Sequence, residues 1–207
     1  MNPALLRVEG LRFGFAPAHS PERPLFEGLS FALPAGVSWL AGDEGRGKTT
    51  LLRLLAGRLS PQAGSIALDR PLQAEELAVQ VAWQETGDPA WDDTVAQDIL
   101  DRQVGDARDA LGPLIAGLAP EPHLAKPLYQ LSTGSRRKVF IAATLAQQAP
   151  LALLDQPFMA LDAPSIRFLL EHFKALAAQP QGALLVADYL PPEGVPLAAT
   201  VDLDRLA

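Results

Sequence analysis

The chain has 207 residues, of which 48% are hydrophobic and 20% charged, and its formal net charge is −7. This length favours a single domain, and the globular composition excludes a disordered or fibrous chain. Cysteine is absent, which excludes disulfides and thiolate metal sites, and the acidic balance argues against a nucleic-acid partner.

Apolar segments are too short to span a bilayer, because the longest run, 139–154, is interrupted by Gln147, Gln148 and Pro150. The first residues also lack the basic and apolar stretches of a signal peptide. We therefore expect a cytoplasmic chain with no membrane span of its own. If it acts at a membrane, another chain has to supply the membrane part.

Strand-like and helix-like segments alternate along most of the chain, and the strands are continuously apolar. This pattern predicts an α/β fold with a mostly parallel sheet that is covered on both faces. The segment 85–130 differs, because its helices are separated by Gly and Pro, and it predicts a helical lobe inserted into the core. In chain order the predicted elements are strands 5–15, 25–33 and 37–41, helix 50–59, strands 65–68 and 78–83, helices 94–102, 107–118 and 135–148, strand 151–154, helix 164–178, and strands 183–187 and 200–203.

A glycine-rich loop lies between strand 37–41 and helix 50–59 and matches the phosphate-loop pattern G-x-x-x-x-G-K-[ST] in full. Its glycines let backbone N–H groups converge, and the helix N-terminus favours a phosphate. Lys48 is expected to reach the β- and γ-phosphates, and the Thr49 hydroxyl to ligate Mg²⁺. The predicted nucleotide-binding residues of this segment are Gly42, Asp43, Glu44, Gly45, Arg46, Gly47, Lys48, Thr49 and Thr50.

A second acidic site follows the predicted strand 151–154, which ends in Asp155. In phosphate-loop NTPases an aspartate at this place holds the Mg²⁺. Taken alone, Asp155 is equally well explained as a turn residue before Pro157. Together with the phosphate loop it predicts a metal site, so ATP and Mg²⁺ are the expected cofactors.

With these motifs the sequence resembles the ATP-binding cassette family over nearly its whole length. Leu131-Ser132-Thr133-Gly134-Ser135 lies where the family has its LSGGQ signature, and Leu154 to Asp162 resembles the family segment LDEP-x-x-ALD. Gln84 resembles the Q-loop glutamine, a catalytic and metal-binding residue in the family, and Phe15 the aromatic that stacks on adenine.

The resemblance implies a single ATPase domain over 1–207, with a core at 1–84 and 150–207 and a helical subdomain at about 85–149. It also implies an N-terminal antiparallel β portion beside the parallel sheet. In the family two cassettes meet head to tail, so Ser132, Thr133 and Gly134 would contact the ATP of a second subunit. An integral membrane permease is the other implied partner, which would place the chain on the inner face of the cell membrane.

Three departures from the family pattern bear on catalysis. Gln156 replaces the glutamate that polarises the attacking water, and Asp188 stands where the family has its switch histidine. Thr133 and Ser135 replace a glycine and the glutamine of the signature. Lys48, Gln84, Gln156 and Asp188 are the candidate catalytic residues, and slow hydrolysis is expected. Gln156 is either native to a degenerate cassette or an introduced change that traps the ATP-bound dimer.

The type of cassette is narrowed by what the sequence lacks. The chain has one cassette, unlike translation factors, no long coiled coil, unlike chromosome proteins, and no cysteine, unlike repair proteins. These features favour a transporter ATPase, similar in size to the haem-exporter ATPases of cytochrome c maturation. An alternative is a non-catalytic or regulatory ATP-binding subunit that completes a partner's site. A small-molecule kinase is a third hypothesis, which the signature-like segment argues against. The basic run Arg136-Arg137-Lys138 is interpreted as a solvated helix face.

Overall fold

The computed structural model describes residues 4–15, 24–68, 70–71, 81–83, 88–104 and 108–206. Its strands are β1 Ala4–Phe13, β2 Phe26–Pro34, β3 Gly36–Ala41, β4 Ala63–Leu68, β5 Arg70–Pro71, β6 Val81–Ala82, β7 Leu151–Asp155, β8 Ala183–Ala187 and β9 Ala199–Asp202. Its α-helices are α1 Lys48–Leu55, α2 Ala96–Val104, α3 Arg108–Leu118, α4 Thr133–Ala146, α5 Ala163–Ala178 and α6 Leu203–Leu206. Short 3-10 helices occupy Pro89–Trp91, Glu121–His123 and Leu128–Gln130.

The central sheet has the strand order β6-β7-β8-β3-β9, and all of its pairings are parallel. Every residue of β8 is buried, as expected for a parallel strand with helices or a second sheet on both faces. Successive side chains of β8 lie on opposite faces of the sheet and pack in two separate hydrophobic clusters, Leu185 in one and Leu184 in the other. The predicted mostly parallel sheet is therefore confirmed.

A second sheet is antiparallel and has the strand order β2-β1-β4-β5. Together with α1 it covers the face of the central sheet on which Leu185 lies. Alternation along β1 buries Leu6 and Val8 and leaves Arg7 and Glu9 exposed, so one face of this sheet packs inward. The predicted N-terminal antiparallel portion is thus present.

The other face of the central sheet is covered by α5 and by the helices α2, α3 and α4. The fit between α3 and α5 is close, because a Cβ added at Gly117 would lie 2.1 Å from the Phe168 ring. These helices agree with the predicted helical segment. Its limits at 85 and 149 stay a prediction, and residues 84–87 lie outside the described ranges.

Several predicted element boundaries were wrong. Helix 50–59 runs instead from Lys48 to Leu55, because Gly57 adopts a left-handed φ of 67° and the chain turns there. The last strand ends at Asp202, since Leu203 begins α6. The predicted strand 183–187 is confirmed at both ends, and most other elements differ by a few residues at their ends. Residues 78–80 of the predicted strand 78–83 and residue 107 of the predicted helix 107–118 lie outside the described residues. None of the helices in the described ranges combines the length and hydropathy needed to cross a bilayer.

Candidate functional site

The predicted site residues converge because of the order of the strands. β7, β8 and β3 are neighbours, and in a parallel sheet their carboxyl ends lie at one edge. Asp155 is paired with Ala187, and Ala187 with Leu40, so the segments that follow these three strands start side by side. The phosphate loop, Asp155 and Asp188 therefore meet at this edge.

The phosphate loop begins directly after β3 and ends in the first turn of α1. Gly47 is the N-cap of α1 with a φ of 90°, a conformation that favours glycine, and a Cβ there would lie 2.8 Å from the Leu25 side chain. The Lys48 side chain is buried and its Nζ donates to the carbonyl oxygens of Gly42 and Asp43, the latter at 3.0 Å. The loop thus places one ammonium group at its centre.

The two residues predicted to hold Mg²⁺ are in direct contact. The Thr49 hydroxyl donates to Asp155 Oδ2 at 2.6 Å. Burial raises the pKa of Asp155, whereas the hydrogen bond from Thr49 and the positive charges of Arg137 and Lys48 oppose this rise. Mg²⁺ commonly takes one or two protein oxygen ligands and fills the rest of its shell with phosphate oxygens and water. A hydroxyl and a carboxylate next to the lysine fit this requirement.

The two unusual catalytic candidates lie at the same edge of the sheet. Gln156 has a left-handed φ of 47°, and its backbone N–H donates to the carbonyl oxygen of Ala187 at 2.7 Å. The Asp188 carbonyl accepts a hydrogen bond from Trp39 Nε1 at 3.0 Å. Burial raises the pKa of Asp188, and the positive charges of Lys48 and Arg137 oppose this rise. The effect of burial is the larger one, so the pKa of Asp188 lies above the ordinary value of an aspartate.

A cleft of about 440 Å³ opens above the phosphate loop. Phe15 is 58% exposed and packs edge-to-face on Phe13 at 5.1 Å, so its ring is available at the rim of the cleft rather than in the core. Gln156 and Tyr189 also line this cleft. The remaining lining residues are Leu25, Asp43, Glu44, Gly45, Gly47, Lys48, Thr49 and Thr50.

The signature-like segment is not part of this cleft. Ser132 is the N-cap of α4, where its Oγ accepts the backbone N–H of Ser135 at 3.1 Å, and Thr133 is exposed. Gly134 packs against the loop after β7, because a Cβ there would lie 2.2 Å from the carbonyl oxygen of Ala160. Within one chain, then, Ser132, Thr133 and Gly134 are not brought to the phosphate loop.

The interpretation of the basic run as a solvated helix face was wrong. Arg137 is buried and donates to the Met159 carbonyl oxygen at 2.6 Å. Arg136 is paired with Asp92. Lys138 is paired with Asp162, and this contact holds the pKa of the Asp162 carboxyl well below its usual range. These side chains connect α4 to neighbouring loops instead of facing water.

Gln84, the remaining predicted site residue, lies outside the described residues. Sequence reasoning also missed Asp204 and Tyr189. The carboxylate of Asp204 accepts the Asp43 N–H at 3.0 Å and pairs with Arg46 at 2.6 Å, so α6 supports the outer side of the phosphate loop. No sequence signal predicts that long-range contact. Tyr189 directly follows Asp188, and an aromatic residue after a strand end was a signal that could have been used.

Comparison with known proteins gives one consistent family. The family model described as "ABC transporter" matches residues 26–159. A cytochrome c biogenesis ATP-binding export protein CcmA from Zymomonas mobilis is 34% identical over 190 residues, which is 81% of this chain and 76% of that protein. CcmA from Bradyrhizobium diazoefficiens is 34% identical over 186 residues, 86% of this chain and 84% of that protein. The curated relatives shown by this comparison are covered over 66% to 84% of their length.

Solved structures agree on the fold. The ATP-binding subunit of an ABC transporter superposes with a TM-score of 0.77 at 24% identity, covering 90% of this chain and 80% of that chain. A bacterial Atm1-family ABC exporter with ATP bound gives a TM-score of 0.73 at 22% identity, covering 90% of this chain and 36% of that chain. At these identities the likeness establishes the fold, which is that of a phosphate-loop ATPase domain.

Proposed function

This chain belongs to the ABC transporter family of ATP-binding proteins, and from that membership we propose that it binds Mg-ATP in the cleft above its phosphate loop as the ATP-binding subunit of a transporter. The observation that carries the proposal is the contact between Thr49 and Asp155 at 2.6 Å, directly beside the buried Lys48. These three residues supply the cation, hydroxyl and carboxylate that a metal-bound triphosphate requires.

Each side chain of the cleft has a distinct task in this proposal. Lys48, whose Nζ lies at the carbonyl oxygens of Gly42 and Asp43, binds the β- and γ-phosphates. Thr49 and Asp155 hold Mg²⁺, which when bound neutralises charge that develops on the phosphates. Gln156 lines the cleft and orients a water molecule, while Phe15 at the rim stacks on the adenine. Gln84 is proposed to assist at the metal, as the family pattern implies.

A second ATP-binding subunit is needed to complete the site. The support is that Ser132, Thr133 and Gly134 are absent from the lining of the cleft in their own chain. The Ser132 hydroxyl has one donor and two acceptor positions, so it can cap α4 and still donate to a partner's γ-phosphate. A separate integral membrane permease would use the closure of this pair, which places the chain at the inner face of the cell membrane. The CcmA relatives, named as export proteins, support an export role.

Hydrolysis is proposed to be slow, because no carboxylate stands at position 156 to accept a proton from water. Gln156 and Asp188 also support a second candidate function, that of a non-catalytic subunit which binds ATP and completes a partner's site. Turnover by the purified chain separates the two candidates, since the second predicts tight ATP binding without measurable hydrolysis.

Mg-ATP is expected to bring two subunits together, and Ser132→Arg is expected to prevent this. The added bulk and charge stand where the partner's γ-phosphate would bind, while the cleft of the same chain is left intact. Sedimentation velocity with and without Mg-ATP measures association, and calorimetry measures ATP binding to the same samples.

Ser132→Thr is the matched control, because threonine keeps the hydroxyl that caps α4. It should associate as the parent does. A loss of ATP binding in the arginine variant, with an unchanged melting temperature, would show that the segment serves its own chain's cleft and would contradict the two-subunit site.

A further inference from the structure

Tyr189 covers the catalytic lysine of the phosphate loop. Lys48 Nζ lies 4.6 Å from the centre of the Tyr189 ring, within the range where an ammonium group is attracted to an aromatic face. The tyrosine is 52% exposed and lines the cleft above the phosphate loop. Its ring therefore occupies space next to the ammonium group that a phosphate has to enter.

The Lys48 ammonium group already has three neighbours within its own chain. An ammonium group has three N–H donors. The carbonyl oxygens of Gly42 and Asp43 accept two of them, and the Tyr189 ring lies over the same nitrogen. The carbonyls belong to a loop whose path is set by glycines, whereas the ring can turn about its side-chain torsions. The ring is thus the group that an incoming phosphate displaces most readily.

The backbone that carries this ring is held in place. The Tyr189 N–H donates to Asp188 Oδ1 at 2.8 Å, and the Asp188 carbonyl accepts Trp39 Nε1 at 3.0 Å. The ring can therefore move by rotation about its side-chain torsions while the backbone of β8 stays in place. The Trp39 indole, hydrogen-bonded to the backbone of Asp188, also provides a native fluorescence signal.

We propose that Tyr189 is a gate for phosphate: its ring caps Lys48 in the empty site and has to rotate away before a nucleotide phosphate can bind. This rests on the proposed function, because it takes the phosphate loop as the nucleotide site. The gate affects how the phosphate end of a ligand binds, and its effect does not depend on the base. Removing the ring should therefore favour any Mg²⁺-bound polyphosphate.

The test compares Tyr189→Ala with Tyr189→Phe, which keeps an aromatic ring. Calorimetry gives the dissociation constant, and stopped-flow tryptophan fluorescence gives the association rate, for Mg-ATP and for Mg-pyrophosphate. Tyr189→Ala should bind both ligands about two- to fivefold more tightly, and faster, which is the range expected for loss of one exposed cation–π contact. Tyr189→Phe should restore the slower association of the parent. Leu190→Ala, at a 76% exposed neighbour outside the cleft, is the matched control.

Three results would overturn the gate: unchanged or weaker binding by Tyr189→Ala, a phenylalanine variant that behaves like alanine, or a gain confined to Mg-ATP. The last result would assign the ring to the base instead. Failure of the proposed function looks different, because the parent would then bind neither ligand. Melting curves verify that each variant folds. We expect the Tyr189 variants to fold because this side chain is largely exposed.

Discussion

Replacing Lys48 with alanine is expected to weaken Mg-ATP binding by about an order of magnitude or more. Each charge-assisted hydrogen bond from the ammonium group to a phosphate oxygen contributes roughly 1.5–3 kcal/mol. Lys48 is buried at the centre of the loop, and it is the lysine that lines the cleft. Isothermal titration of the variant and the parent with Mg-ATP measures the difference.

Lys174→Ala is the matched control for this change. Lys174 is paired with Glu171 on α5 and does not line the cleft, so its removal should leave the affinity for Mg-ATP unchanged. Equal binding by Lys48→Ala and the parent would refute the phosphate loop as the ATP site. A melting curve is needed beside the titration, because Lys48 also bonds two loop carbonyls.

Restoring glutamate at position 156 is expected to raise ATP turnover at least tenfold. General-base assistance contributes about 10²–10⁴-fold, and an amide supplies none of it. The backbone of Gln156 is fixed by its N–H bond to Ala187 O, and glutamate has the same shape, so the substitution adds a base without moving the loop. Phosphate release at saturating Mg-ATP gives the rate.

Gln181→Glu makes the same change in charge at an exposed position before β8, at the opposite edge of the sheet, and should have no effect. If Gln156→Glu also has none, the double variant Gln156→Glu with Asp188→His tests whether Asp188 limits the reaction. A double variant that binds Mg-ATP and still does not hydrolyse it would favour the non-catalytic subunit over the slow ATPase.

Much of the fold could be predicted because local and long-range signals agree. Continuous apolar strands such as β8 predict a parallel sheet, and the glycine pattern of the phosphate loop requires a strand before it and a helix after it. Once β3, β7 and β8 are neighbours, Lys48 and Asp155 have to meet at one edge. The contact between Thr49 and Asp155 follows from that order.

The missed features depend on where one element packs on another. A basic run at the start of a helix does not reveal that Arg137 is buried under the loop carrying Met159. The support of the phosphate loop by Asp204 needs the position of α6, which β9 sets by pairing with β3. The early end of α1 at Leu55 was also missed, because the helical leucine pattern outweighed Gly57.

The most direct test of a metal-bound triphosphate in this cleft is calorimetric titration of the parent chain with ATP, in Mg²⁺ and in chelator, beside Asp155→Asn. We expect tighter binding in Mg²⁺ for the parent and loss of most of that gain in Asp155→Asn, which removes the metal-binding charge but keeps the shape. Parent protein that binds no ATP, or binds it equally well without Mg²⁺, would contradict the account.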